Sequence, residues 1–572
     1  MKRIALPPWL FFALAALAGL MQAAALADPW QGQPRWWLQL ISLAALTALL
    51  ARQARRLPEK PQAGSHSMSP PASDARPRAA RWLARLGLAG SGLVRSGFWP
   101  GFALGWFFAL GWLAGTFWWL FISMHTYGGL AAPLAALAVL ALAAFLALYY
   151  GVAAGLFVAW APRSRQGLAP VRSAALLAAL WTLAELARGG WLTGFPWGAG
   201  GYAHLDGPFI PLARWAGVYG LGLVATFTAA VAALMTLHES DLEERAQNLL
   251  IVFGLVSWLW WLGQEAKTAS ASAALPPAPV ALLQGNIPQD EKFVPGTGVI
   301  DALTWYGKEL ARPRASLVIA PETAVPVLPD QLPEGYWPAL LARYQRPGSG
   351  QAALIGVPFG DLENGYTNSV MGLAPGQTSD GYYRYDKHHL VPFGEFIPPL
   401  FHWFVRMMNI PLGDFERGPL VQPSFAWQGQ RLAPNICYED LFGEELAARF
   451  AAPDHAPTVF VNVSNIAWFG DGVAIDQHLA ISRMRAIEFE RPMLRATNSG
   501  ATAIIEADGQ VSAALPRSTR GVLTGHYTGH THLTPYARWA SQAGLLPLWL
   551  LCAALALLCA RLPWGRKGRK KR

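Results

Sequence analysis

Apolar residues in this chain gather into long runs toward both ends and into short, interrupted runs between them. Stretches long enough, or nearly so, to cross a ~30 Å hydrocarbon layer with ~20 residues fall at 8–27, 36–51, 98–122, 130–160, 173–187, 209–237, 249–262 and 543–560. The second, fifth and seventh are short and need flanking residues, and the fourth must tilt or extend past the layer. Between Gly263 and Gln542 the pattern changes. Short β-branched runs at 280–284, 316–320, 352–357, 369–373, 432–437, 458–463, 493–497 and 502–506 read as strands. Stretches at 299–311, 337–344, 443–450 and 474–489 read as helices. That alternation predicts an α/β fold with well-buried sheets. The expected organisation is a multi-pass α-helical membrane domain with seven spans over 1–264 and a soluble α/β domain over 265–542. A closing helix and tail over 543–572 bring the total to about eight transmembrane helices.

Composition narrows this picture. The 572 residues are 53% hydrophobic and 14% charged, with 26 Trp and three Cys. Disorder and a disulfide scaffold are both excluded. The net charge of +10 is unevenly placed. Lys2 and Arg3, nine basic residues in the loop 52–97, then Arg163, Arg165 and Arg172, and seven basic residues after 560 all fall on one side of an eight-span arrangement. Positive loops stay cytoplasmic, so both termini are expected in the cytoplasm and the soluble domain outside it. The segment 238–248, rich in Glu and Asp, dissents, but acidic residues weigh little in that rule. Residues 265–538 hold 20 basic and 26 acidic side chains, a net of −6. The basic excess is thus an orientation signal, and no nucleic-acid partner is expected. The loop 52–97 reads as a Pro/Ser-rich cytoplasmic insert. Ala25-Leu26-Ala27 is similar to a signal-peptidase site; cleavage there would remove one span without moving the soluble domain.

No glycine-rich phosphate loop follows a strand, and the adjacent His388 and His389 lack metal-ligand spacing. Neither cofactor nor metal is expected. Cysteine use is more informative. Cys552 and Cys559 lie in the last span, leaving Cys437 alone in the soluble domain. A free Cys is often a small buried hydrophobe. Yet Leu432-Ala433-Pro434-Asn435-Ile436-Cys437-Tyr438-Glu439-Asp440 puts this thiol where an apolar strand meets a polar turn, a place where a nucleophile can sit beside backbone N–H groups. Two other segments have the same form. Ser316–Thr323 runs from a strand into Glu322, and Tyr383–Glu395 sets Lys387 and Glu395 around a Pro/Gly turn. A thiol needs a base, which a desolvated carboxylate can supply, and an ammonium can stabilise an oxyanion.

Glu322 in A-P-E-T, Lys387 in Y-D-K-H-H-L-V-P-F-G-E and Cys437 in N-I-C-Y-E-D resemble, in order and context, the Glu-Lys-Cys triad of the nitrilase (carbon–nitrogen hydrolase) superfamily. The resemblance is closest to its membrane-bound branch, the apolipoprotein N-acyltransferases. Q-G-N-I-P-Q at 284–289, N-V-S-N-I-A-W-F-G-D at 462–471, R-M-R-A-I-E at 483–488 and T-G-F-P-W at 193–197 extend it over nearly the whole chain. Phe293 departs from it, standing where Trp is expected, and the loop 52–97 is longer than usual.

The resemblance implies an αββα sandwich and a two-step acyl transfer in the bacterial inner membrane, with the catalytic domain in the periplasm. Cys437 would take a fatty acyl chain from a phospholipid, phosphatidylethanolamine for preference, with Glu322 as base and Lys387 with N–H groups near Tyr438 holding the oxyanion. The thioester would then pass to the N-terminal diacylglyceryl-Cys of an apolipoprotein. Glu395 would be a second essential carboxylate, with Tyr438 and Glu439 in support. The apolar segment Pro398–Met408, with Phe401, Trp403 and Phe404, reads as an arm reaching the lipid interface, and Trp468 as lining the acyl pocket. Glu185 and Arg188, one helical turn apart, are expected to pair. A monomer is expected. A membrane-tethered amidase using water is the rival enzyme. A transporter would need charges inside the spans, where Arg214 is the main exception.

Overall fold

The computed structural model describes residues 7–560, apart from 56–96, 165–166, 238–249, 251–252, 255–256, 259–260, 263–273, 313, 362, 379–380, 400 and 406–414. Among the described residues, six helices are long and apolar enough to cross a membrane. They are α1 (Pro8–Leu26), α2 (Trp36–Arg55), α3 (Phe98–Phe117), α4 (Ala132–Trp160), α5 (Pro170–Gly190) and α6 (Ala213–Leu237). Proline opens α1, α4 and α5, where its missing N–H costs nothing. The expected seventh span, 249–262, lies largely outside the described residues.

The α/β half is a sandwich of two six-stranded sheets. Sheet one joins β1 (Ala278–Gln284), β2 (Leu317–Ala320), β3 (Ala352–Asp361), β4 (Gly365–Leu373), β5 (Tyr383–Asp386) and β12 (Gly521–Tyr527), in the order β12-β1-β2-β3-β4-β5. Sheet two runs β11-β10-β9-β8-β7-β6. Its strands are β6 (Phe425–Trp427), β7 (Gln430–Ile436), β8 (Val459–Ser464), β9 (Met493–Thr497), β10 (Ala503–Ile505) and β11 (Val511–Ala514). The central pairs β1–β2–β3 and β7–β8–β9 are parallel, and the edges are antiparallel. Central strands are buried on both faces, so they read as continuous apolar runs. Leu282, Ile319 and Leu354 face Leu432, Val461 and Leu494 across the middle of the sandwich. Helices α7 (Gly298–Ala311) and α8 (Tyr336–Gln345) cover the outer face of sheet one. Helices α9 (Val473–Phe489) and α10 (Pro535–Ala543) cover that of sheet two.

All eight expected strands are present within a few residues. β5, β6, β11 and β12 were not expected: they are short, exposed or interrupted by Gly and His, and carry no apolar run. The expected span at 543–560 is a bent pair. The amphipathic α10 meets α11 (Leu546–Cys559) at 93°, and Gly544 between them has φ +53°.

The two halves share one packed interface. The membrane-domain core continues into Tyr438, Phe442, Ile466, Ile481 and Met484 of the α/β domain. α6 breaks its helical geometry at Gly217, where a Cβ would lie 2.6 Å from the ring of Tyr536 on α10, so only glycine admits that approach. Arg214, in the first turn of α6, pairs with Glu490 of the α/β domain at 3.0 Å. Glu185 and Arg188, expected to pair, form no ion pair. Glu185 accepts from the N–H of Gly200 (2.8 Å), and Arg188 donates to the hydroxyl of Tyr150 and the carbonyls of Phe195 and Trp197.

Candidate active site

Three strand ends converge at the border of the two sheets. Glu322 follows β2 by two residues, and its turn continues through Thr323 at φ +48°. One carboxylate oxygen accepts from Asn368 Nδ2 (2.7 Å) and the other from the backbone N–H of Asn465 (2.7 Å). Lys387 follows β5 directly and is fully buried. Its Nζ lies 2.8 Å from Glu395 and 3.6 Å from Glu322. Burial alone would lower its pKa, but the two carboxylates outweigh that and hold it above its ordinary value, so the ammonium stays charged. Glu395 is fixed in turn by Asn368 Nδ2 (2.9 Å) and the N–H of Val391 (2.8 Å). Asn368 therefore bridges both carboxylates, and its own carbonyl accepts from the N–H of Lys387 (2.8 Å).

Cys437 follows β7 at φ +51°, a left-handed position that costs a non-glycine residue of order 1 kcal/mol or more. Its surroundings over-determine it. Glu439 accepts from the N–H groups of Ile436 (2.6 Å), His388 (2.7 Å) and His389 (3.2 Å) and from the Tyr385 hydroxyl (2.9 Å). It thus ties the cysteine elbow to the segment bearing Lys387. From the other side, the Cys437 carbonyl accepts from Asn462 Nδ2 (3.3 Å) and His478 Nε2 (3.1 Å). Arg495 donates to His478 Nδ1 (2.7 Å), and an arginine cannot accept, so the His478 proton must sit on Nε2. Asp440 completes this fully buried cluster, accepting from His478 (3.0 Å) and from Ser482 (2.5 Å).

Burial, with the nearby Glu322 charge, pushes the Cys437 thiol up to about 12, against a lowering effect of Lys387. The resting group is a neutral thiol with a carboxylate and an ammonium close enough for their charges to act on it. Such a thiol becomes nucleophilic when the carboxylate removes its proton during attack.

Residues 73–231 match the family model for the apolipoprotein N-acyltransferase N-terminal domain, and residues 279–531 match that for carbon-nitrogen hydrolase. The apolipoprotein N-acyltransferase of Verminephrobacter eiseniae is 53% identical over 553 residues, covering 94% of this chain and 93% of that protein. That of Ralstonia nicotianae is 44% identical over 550 residues, covering 95% and 92%. The chain belongs to the apolipoprotein N-acyltransferase family. Among solved structures, an amidase from Nesterenkonia sp. is similar at 18% identity and a TM-score of 0.34, covering 48% of this chain and 98% of that one.

In this member of the N-acyltransferase family, the remaining candidate side chains lie around the elbow rather than on the thiol. Glu439 can only accept hydrogen bonds when ionised, and both its oxygens are occupied, so its side chain braces the elbow and cannot donate to an oxyanion. The Tyr438 hydroxyl donates to the Gly194 carbonyl (3.3 Å), and its ring packs on Phe195, His389 and Phe442. Only its backbone N–H is left beside the thiol. Trp468 is half-buried and meets Tyr127 of the membrane domain edge-on at 5.9 Å. Phe401 is 43% exposed and Trp403 62% exposed. Phe401 packs on Phe393, which rests against Phe121, Met124, Leu130 and Ala135 of the membrane domain. Phe404 lies in the same helical turn, but its side chain, like residues 406–414, is outside the described residues.

Asn368, Asn465, Gln289 and the His478–Arg495–Asp440 cluster were not singled out from the sequence. The signal was a polar residue inside an otherwise apolar strand or helix, such as Asn368 in β4, which must find a partner when buried.

Proposed function

We propose that this chain performs its family's reaction, lipoprotein N-acylation, through a thioester on Cys437. The observation that carries the reading is a thiol on a left-handed elbow, acted on by the charges of Glu322 and Lys387, at the seam with the membrane domain. In the first half-reaction Sγ attacks the ester carbonyl of a phospholipid while Glu322 takes the thiol proton. Lys387 and the N–H of Tyr438 hold the oxyanion. Collapse breaks the ester C–O bond, Glu322 returns its proton to the leaving alkoxide, and a lysophospholipid departs. In the second half-reaction the free α-amine of a diacylglyceryl-Cys attacks the thioester and Glu322 takes an amine proton. The C–S bond breaks, and that proton returns to the thiolate. Glu395 keeps Lys387 charged and in place throughout.

Phosphatidylethanolamine is the proposed donor, and Phe401, Trp403, Phe404 and Trp468 border the lipid approach. The catalytic domain, residues 265–542, faces the periplasm with both termini in the cytoplasm, in keeping with the basic loops, and the protein acts as a monomer in the inner membrane. Family membership favours an amine over water as acceptor.

The test supplies phosphatidylethanolamine and a diacylated lipopeptide to the full-length protein and to Cys437→Ala and Cys437→Ser variants. Wild type should give N-acyl peptide and, without peptide, a hydroxylamine-sensitive acyl group on Cys437. N-acylation by Cys437→Ala would sink the assignment, as would release of free fatty acid in place of N-acyl product.

A further inference from the structure

Lys292 sits in the loop between β1 and α7, in the stretch Gln289-Asp290-Glu291-Lys292-Phe293, and is fully buried. The loop is tightly closed. The N–H of Lys292 donates to the Pro288 carbonyl (2.9 Å), and that of Val294 to Glu291 (2.7 Å). Gly298 admits the closure, since a Cβ there would lie 2.1 Å from the Glu291 carbonyl oxygen. Among the described residues, the Lys292 ammonium makes one hydrogen bond, to the main-chain oxygen of Glu322 (3.1 Å), and no ion pair. Lys387, by contrast, is held by two carboxylates. Gln289, on the same loop, accepts from Asn465 Nδ2 (2.8 Å) while its own buried Nε2 has no partner. The loop therefore brings spare N–H donors to the side of the site where the main chain of Asn465 holds Glu322.

We propose that Lys292 is a second cation of this active site, a positioning residue whose ammonium stabilises the Cys437 thiolate and steadies the turn that bears Glu322. The proposal rests on Cys437 being the nucleophile and deepens that reading.

Burial lowers Lys292 to about 7, against the raising effect of Glu322 and Cys437, the two titratable groups that face it from other elements. Asp290 and Glu291 on its own loop are exposed to solvent. Lys387 stays charged throughout this range, held by Glu395 and Glu322. Near pH 7 the Cys437 thiol is still protonated, so Lys292 is the group that loses its charge there. A thiolate is favoured beside the charged Lys292 over one beside the neutral amine, so its rise with pH pauses as Lys292 loses its proton and then resumes.

The experiment reads the thiol directly. Full-length protein in detergent is treated with iodoacetamide, and the Cys437 peptide is followed by mass spectrometry across pH. The wild-type rate should climb to about pH 7, flatten over about one pH unit and then climb again. Lys292→Arg stays charged, so its rate should match wild type at low pH and keep climbing about tenfold per pH unit. Lys292→Met should climb with the same slope from a rate about tenfold lower. A wild-type profile that never flattens, or a flattening that persists in Lys292→Arg, overturns the proposal. If Lys292→Met does not fold, the Arg variant decides alone. Alkylation reports the thiol whether or not acyl transfer occurs, so N-acylation by Cys437→Ala would fail the reading of Cys437 as nucleophile independently.

Discussion

The two sheets of the catalytic domain have the same strand count and the same parallel-centre, antiparallel-edge pairing, yet their outer helices meet different surroundings. α7, over sheet one, is amphipathic: seven of its 14 residues are buried, and its polar face carries ion pairs open to solvent, such as Asp301 with Arg520. α9, over sheet two, has 13 of its 17 residues buried, and among them are Gln477, His478, Arg485 and Glu488. One side of α9 reaches the cysteine elbow through His478 and Ser482. The other reaches the membrane domain. Gln477 accepts from the indoles of Trp119 (3.0 Å) and Trp197 (2.7 Å), and Glu488 accepts from the N–H of Val218 (2.6 Å) while pairing with Arg485 (2.8 Å). Cys437, the proposed nucleophile, belongs to the half that is bonded to the membrane domain, whereas Glu322 and Lys387 come from the sheet whose outer helices face away from it. Polar residues on a helix signal water in the first case and a polar protein partner in the second.

The sharpest way to break this contrast is at the Arg485–Glu488 pair. Glu488→Ala leaves the buried Arg485 guanidinium without its counter-charge and the Val218 N–H without a partner, and should cost about 3–5 kcal/mol, seen as a large drop in the unfolding temperature in detergent. Next comes Asn368, which spans the two carboxylates. Asn368→Leu should lower kcat by about a hundredfold, ~2.7 kcal/mol of barrier, with the unfolding temperature much less affected. An unchanged kcat would show that Glu322 and Glu395 do not need the bridge.

The thiol itself gives a smaller, pH-dependent effect. Its folded-state pKa lies above the ordinary value of 9.0, near 12. The unfolded chain therefore loses this proton first, and the stability the neutral thiol contributes is complete below pH 9 and shrinks as pH rises toward 12. The difference in stability between wild type and Cys437→Ala should fall by up to about 1.4 kcal/mol per pH unit in that window. The smallest effect belongs to the exposed side of sheet one: Asp301→Ala should change stability by about 0.5 kcal/mol or less. A loss comparable to that of Glu488→Ala would erase the distinction between the two helices.

Much of this was legible in the sequence because it rests on short-range pattern. The apolar runs gave six membrane-length helices, and the buried central strands gave the α/β order. Glu322, Lys387 and Cys437 each stand at a strand end, where polarity changes abruptly. Other features depend on contacts between distant segments. Arg188 sits one turn from Glu185, so the sequence suggested an ion pair, but the loop 193–197 folds back and offers carbonyls instead. The resemblance placed Glu439 in support of the chemistry. Its role as a brace becomes visible only when His388 and Tyr385 arrive from the other sheet. α9 was legible as a helix, but not the burial of its charges, which needs the membrane domain beside it.

The contact between Tyr438 and Gly194 has a geometric consequence. Residues 192–194 all take positive φ, and the exposed Trp191 and Leu192 stand at the end of α5. Tyr438 is bonded to that loop, so the adjacent thiol is held at a set height above the last turn of a membrane helix. Reactants embedded in a bilayer must meet it at that height by moving sideways. Encounter then becomes a two-dimensional search, and the rate should follow the mole fraction of donor in the membrane rather than its concentration in the bulk.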